Sequence, residues 1–252
     1  GLSVGLAGRL DQGWSWVTQA LERAEKFNQP FALANGLLYA TLVKLLRGDY
    51  DEAGQLACKM DVLTQEYHFA RYGMISVLLQ GSIAVQRGAL AEGIGAITTA
   101  LLRYRTIGAQ LNVPFFLSFL AEGYRRQGKI DKALQVVAEA LSLTATNLDR
   151  FWEAELYRLK GTLTLAQSSV QRLASQKERQ KSKGKRGRGA RGWGLEASPT
   201  SPQASSLKPL VSSGAAQEAE ECFLKAIEIT RQQGAKSLEL RAVMSLSQLW
   251  QQ

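Results

Sequence analysis

Gly128-Lys-Ile-Asp-Lys-Ala-Leu-Gln-Val-Val-Ala-Glu-Ala-Leu141 is the stretch whose reading decides the fold: a tight turn followed by a strongly amphipathic helix. The phrase recurs at a fixed spacing. Gly8, Gly48, Gly88 and Gly128 lie 40 residues apart. Five residues after each come Gly13, Ala53, Gly93 and Ala133, and twelve after come Ala20, Met60, Ala100 and Ala140. Self-similarity at such a period marks a stacked repeat, in which each unit buries its apolar face only against its neighbours.

Outward from that stretch, each unit reads as two antiparallel helices joined by a glycine turn. Leu2 to Ala7 reads as the tail of a truncated helix, with the first turn at Gly8. Leu10, Trp14, Val17, Ala20, Leu21 and Ala24 then share one face at 3.6 residues per turn. Pro30, which lacks an N–H, suits the first turn of the next helix. That helix, from Pro30 to Arg47, is apolar nearly all round, as expected where neighbours cover both sides. Asn112-Val-Pro114 is a further cap-and-proline start. The fifth unit opens with a helix expected from Leu148 to about Gln167 and then breaks the period. A turn is due at Ser168 but arrives at Gly214, with Ala219, Phe223 and Ala226 at their usual offsets, so 46 residues are inserted. The expected organisation is repeats over 1–167, an insert over 168–213, and the solenoid resumed over 214–252, ending in a helix from Lys236 to Trp250.

The net charge of +9 suggests a nucleic-acid binder until it is located. Residues 168–213 carry ten Lys/Arg against Glu178 and Glu196, which leaves 21 basic and 20 acidic side chains for everything else. The folded part is therefore close to neutral. The insert holds Pro199, Pro202 and Pro209, many serines and little apolar surface, too little to offset roughly 1–2 kcal/mol per ordered residue, so it reads as a disordered loop. Its basic residues Lys181, Lys183, Lys185, Arg186, Arg188 and Arg191 offer a weak, salt-sensitive contact to nucleic acid or another polyanion. Trp193 is its one aromatic, too few for a base-stacking platform. Gly187-Arg-Gly-Ala-Arg-Gly192 matches a dinucleotide fingerprint in letters only, because no strand precedes it.

Enzymatic chemistry finds no foothold. His68 is the single histidine, and Cys58 and Cys222 read as small buried hydrophobes of a reducing compartment, too far apart along a stack to pair. The expectation is no catalytic residues, no metal and no cofactor. No apolar run approaches the roughly 20 residues of a membrane span. The chain starts at Gly1 in mid-repeat, and a piece of a longer protein is expected.

Repeat length, about 40–47 residues in HEAT and armadillo units against about 34 in tetratricopeptide units, favours the former families. The landmarks favour the latter: Ala121, Tyr124, Gly128, Ala133, Val137 and Ala140 are small and bulky in the order a tetratricopeptide unit requires for close helix crossing. The chain outside the insert resembles the long tetratricopeptide type. Phe151-Trp-Glu-Ala-Glu-Leu-Tyr-Arg-Leu-Lys-Gly161, Arg231-Gln-Gln-Gly-Ala-Lys-Ser-Leu-Glu-Leu-Arg-Ala242 and Ser245-Leu-Ser-Gln-Leu-Trp250 are similar to the repeat tail of bacterial adenylate/guanylate cyclase-like and signal-transducing ATPase regulators. The resemblance implies an all-α, right-handed solenoid of antiparallel helix pairs. It also implies a non-catalytic protein-interaction or sensor scaffold in a cytoplasmic signalling protein, with a protein, a peptide or another domain of the parent bound on the concave face. An effector-sensing domain of a nucleic-acid-associated transcriptional regulator is the alternative. Carried over by position, the groove residues are Ser118, Glu122, Arg125, Arg126, Glu155, Arg158, Arg241 and Gln248, for which solvated helix faces are the simpler reading. Leu38, Leu42, Leu45 and Leu46 line an apolar continuation of the groove or belong to the core.

Overall fold

The computed structural model describes residues 10–147, 150–186 and 213–251. Among these residues it holds ten α-helices and no strand. They are α1 (Leu10–Lys26), α2 (Pro30–Arg47), α3 (Tyr50–Glu66), α4 (Ala70–Arg87), α5 (Leu90–Thr106), α6 (Val113–Arg126), α7 (Ile130–Asn147), α8 (Glu153–Arg186), α9 (Ser213–Gln233) and α10 (Lys236–Trp250). The chain is an all-α helical repeat, each helix packed on the next. The expected tail at 2–7 and turn at Gly8 lie outside the described residues.

The repeat landmarks are where helices touch. Ala53, Met60, Ala133, Ala140, Ala219 and Ala226 are fully buried, as are the residues nine after each turn, Ala57, Ile97, Val137 and Phe223. Small side chains at these crossings let backbones approach, and the bulkier ones fill the holes between. A close crossing joins α4 to α5, where Gly81 faces Gly93.

One turn geometry joins the helices. Gly48 sits at φ 83° and closes α2, its N–H bonding to Leu45 and the Asp49 N–H reaching back to Lys44. A left-handed residue there satisfies carbonyls that the helix end leaves open, and only glycine takes it without strain. Gly88 and Gly128 repeat the arrangement. The turns between units use it too, with Asn28, His68, Gly108 and Gly234 at positive φ. The lone histidine is thus a turn residue at φ 54°.

Long-range packing separates two layers. The even-numbered helices pack in sequence on one another, α2 on α4, α4 on α6, α6 on α8 and α8 on α10, whereas the odd-numbered helices pack on their even neighbours. The even helices therefore form the inner wall of a curved array. Burial follows: α2 buries nine residues, including Thr41 and Lys44, while the outer α3 buries four.

Three sequence expectations need correction. The first helix of the fifth unit begins at Glu153 instead of Leu148, and it runs beyond Gln167 to Arg186. Ser168, where the disordered insert was expected to start, is a buried helical residue. The physical reason is local: 168–183 contains neither Gly nor Pro to stop the helix, and Ser168 is held among packed neighbours. The backbone at Lys181, Lys183, Lys185 and Arg186 belongs to α8, while Arg188, Arg191 and the fingerprint-like glycines lie outside the described residues. Cys58 is exposed; only Cys222 is buried, and both thiols are free.

Candidate functional site

On α6, Ser118, Glu122 and Arg125 fall four and three residues apart, so they share one stripe of the helix, with Arg126 beside them. On α8, Glu155, Arg158 and Thr162 fall three and four residues apart and likewise share one stripe. Because α6 and α8 are adjacent in the inner layer, the two stripes face a common space. It is a cavity of about 540 Å³, within the range of small-molecule sites. Arg241 of α10 closes one end, and Leu45, Leu46, Arg47 and Gly48 at the end of α2 close the other. Tyr50, Gln86, Phe119, Trp152 and Leu159 complete the wall.

Seven of the eight residues expected in the groove, Ser118, Glu122, Arg125, Arg126, Glu155, Arg158 and Arg241, line this cavity. Gln248 does not; it lies about two turns beyond Arg241 on α10 and is exposed. Glu155 and Arg158 are not solvated faces, since their side chains are only 5% and 15% exposed, whereas Arg126 and Arg241 are exposed. Leu38, Leu42 and Leu45 are core residues, and Leu45 and Leu46 also reach the cavity wall.

Two ionic clusters organise the interior. Glu122 accepts from Arg125 Nε at 2.7 Å, Arg125 Nη2 at 2.8 Å and Arg126 Nε at 2.7 Å. Glu155 accepts from Arg158 Nε at 2.9 Å and Nη2 at 2.7 Å, and its Oε1 also pairs with Arg241 Nη2 at 2.8 Å. Bidentate geometry of this kind fixes the guanidinium planes. Each carboxylate therefore holds two arginines, and each cluster keeps one positive charge.

Burial alone would push the Glu122 carboxyl up, but the hydrogen bonds from Arg125 and Arg126 outweigh it and hold it below the ordinary carboxylate value. Arg125 is held protonated beyond an ordinary arginine, chiefly by its bond to Glu122, with burial and the neighbouring Arg158 opposing. Burial is the largest influence on Arg158 and opposes its charge; Glu155 more than compensates. The clusters thus feel one another across the cavity.

Several wall residues escaped the sequence reading. Trp152 donates its indole N–H to Ser118 Oγ at 2.9 Å, and Ser118 donates to the Phe115 carbonyl at 2.6 Å. Arg126 donates to the carbonyls of Val85 and Gln86 at 3.2 Å and to Gln86 Oε1 at 3.1 Å, so it caps the end of α4 in the preceding unit. The signal for that contact was present, because Gln86 lies one 40-residue period before Arg126. Lys44, buried and paired with Glu52 at 2.6 Å and Asp49 at 3.4 Å, stacks on Trp14 at 4.2 Å and belongs to the packing rather than the cavity.

No protein-family model matches the chain. An uncharacterized protein of Rhizobium meliloti (strain 1021) is 24% identical over 162 residues, 64% of this chain and 16% of that protein. The chain thus matches about a sixth of the length of that relative. Among solved structures, the crystal structure of BtubC (BKLC) from P. vanneervenii superposes with a TM-score of 0.50 at 14% identity, covering 95% of this chain and 90% of that one. At that identity the likeness extends to the helical fold. Among the described residues no helix is long and apolar enough to cross a membrane, and no group of three or more His, Cys, Asp or Glu is placed to hold a metal ion.

Proposed function

We propose that the chain is a non-catalytic binding scaffold of the tetratricopeptide type, and that it recognises a protein partner or an effector through the arginine-lined cavity of its inner layer. The observation that carries this reading is the convergence of three inner helices on one space with an excess of guanidinium groups. Polar groups preorganised in a concave wall are what ligand recognition requires. They are also expensive to bury for stability alone, since apolar packing usually does that work as well. The 16% share of the Rhizobium relative supports a place within a much larger protein, where a repeat region reports on a ligand or docks a neighbouring domain. A cytoplasmic signalling parent of the cyclase or ATPase kind fits the resemblance carried by 151–161 and 231–250.

Affinity capture with the intact chain, compared with a chain carrying Arg125→Glu and Arg126→Glu, tests the reading. Partners that depend on the cavity disappear from the second capture while circular dichroism of the two chains agrees. Arg241→Glu, on a half-exposed side chain, reproduces the loss without touching the Glu122 cluster. Identical partner sets for all three chains would remove the cavity from the account.

A further inference from the structure

Within the cavity, hydrogen-bond acceptors are already engaged. Ser118 Oγ lies between Trp152 and the Phe115 carbonyl, and Thr162 Oγ1 donates to the Arg158 carbonyl at 3.1 Å. Gln86 Oε1 accepts from Arg126 and from Tyr50 at 3.4 Å. The Glu122 and Glu155 oxygens all accept from arginine. The ion pairs of the two clusters use Nε and Nη2 of Arg125 and Arg158 and Nη2 of Arg241, and leave Nη1 of each of the three outside them. The chemistry offered to a ligand is therefore donation from guanidinium groups.

The charge sets the ligand's valence. Four arginines, Arg125, Arg126, Arg158 and Arg241, stand against Glu122 and Glu155, a surplus of two. Arg47 at the rim adds nothing to it, because it pairs with Asp11 at 3.1 Å and Asp49 at 3.2 Å. A carboxylate would neutralise half the surplus. A phosphomonoester carries about −1.5 to −2 at neutral pH on three acceptor oxygens, and planar guanidinium forks match those oxygens in pairs. Beside the arginines the wall carries apolar side chains: Leu45, Leu46, Phe119 and Leu159. A cavity of about 540 Å³ holds more than a bare phosphate.

Resting on the binding reading above, we propose that the cavity is a receptor for the dianionic phosphoryl group of a phosphomonoester, with the apolar or aromatic part of that molecule seated against Phe119 and Leu46. The phosphoryl group bridges the two clusters at Arg125, Arg158 and Arg241, and so ties α6, α8 and α10 together. Its carrier is either a free small molecule or a phosphorylated side chain of a peptide.

Isothermal titration calorimetry of the full chain with phenyl phosphate, inorganic phosphate and a short phosphotyrosine peptide tests this, with succinate and benzoate as carboxylate controls. Phenyl phosphate binds at one site and is displaced by inorganic phosphate. Arg241→Gln weakens it about tenfold or more, the loss expected for a hydrogen bond between charged groups. Lys59→Gln, on the exposed face of α3, leaves it unchanged. A peptide that binds more tightly than phenyl phosphate supports the site and assigns it to phosphorylated protein; the reverse order supports it and assigns it to a small phosphomonoester. Succinate binding as tightly as phenyl phosphate, the absence of a phosphate signal, or an Arg241→Gln chain that binds as before would overturn the proposal. If partner capture still depended on Arg125 and Arg126 in that event, the binding reading would stand and the phosphoryl assignment alone would fall.

Discussion

Glu122 shows how one side chain serves both the fold and the site. Its carboxylate holds Arg125 and Arg126 on its own helix, and Arg158 faces it from α8. Its folded-state pKa lies below the unfolded reference of 4.5. The stability it contributes is therefore complete above pH 4.5 and is lost as pH falls through the lower folded value. Glu122→Gln is expected to destabilise the chain at neutral pH by about 2 kcal/mol, the scale of hydrogen bonds to charged groups. Below that window the variant and the parent should converge. Thermal unfolding followed by circular dichroism across the acid range measures this, and an unchanged gap between the two chains at low pH would contradict it. The residue scale was the least legible in sequence. The resemblance named Glu122, Arg125 and Arg158 by position, and their pairing with partners three or four residues away follows from helix spacing. The link from Arg241 to Glu155 depends instead on side-chain reach between helices. Trp152 and Gln86 join the wall for the same reason.

Elements carry a different lesson. The 40-residue landmarks place alanine at positions 53 and 133 and glycine at 93, which reads as interchangeable small residues. The structure separates them. A Cβ on Gly93 would stand 2.7 Å from the Gly81 carbonyl oxygen and 2.8 Å from the Val85 backbone nitrogen, and neither backbone atom can rotate away. Alanine in a helix interior normally gains about 0.5–1 kcal/mol over glycine, whereas overpacking costs roughly 1–3 kcal/mol. The clash wins, so Gly93→Ala is expected to lower the melting temperature. Gly95→Ala, on the same helix with open space around it, should raise it or leave it unchanged; a melting temperature for Gly93→Ala at or above the parent's would show that α4 and α5 can part freely. Helix boundaries were legible wherever Gly or Pro punctuates the chain, as at Pro30, Gly48 and Gly88. They were misread at Ser168, because low apolar content says nothing against a helix that still packs on one side.

For the whole molecule, charge is sorted by layer and position. Corresponding positions are Leu45, Val85 and Arg125 in successive units, so at this register a buried apolar residue gives way to a cavity arginine only in the third. Composition alone hid this, since the basic run within 168–213 dominated the net charge while the repeats balanced to near neutrality. The functional claim depends on which surface of the curved array meets a partner. A photo-crosslinking phenylalanine analogue placed at Phe119, within the cavity wall, and separately at Val62, on the exposed outer face of α3, distinguishes the surfaces. Adducts with captured partner from position 119 and none from position 62 are the predicted result. Adducts from position 62 with none from 119 would contradict the account.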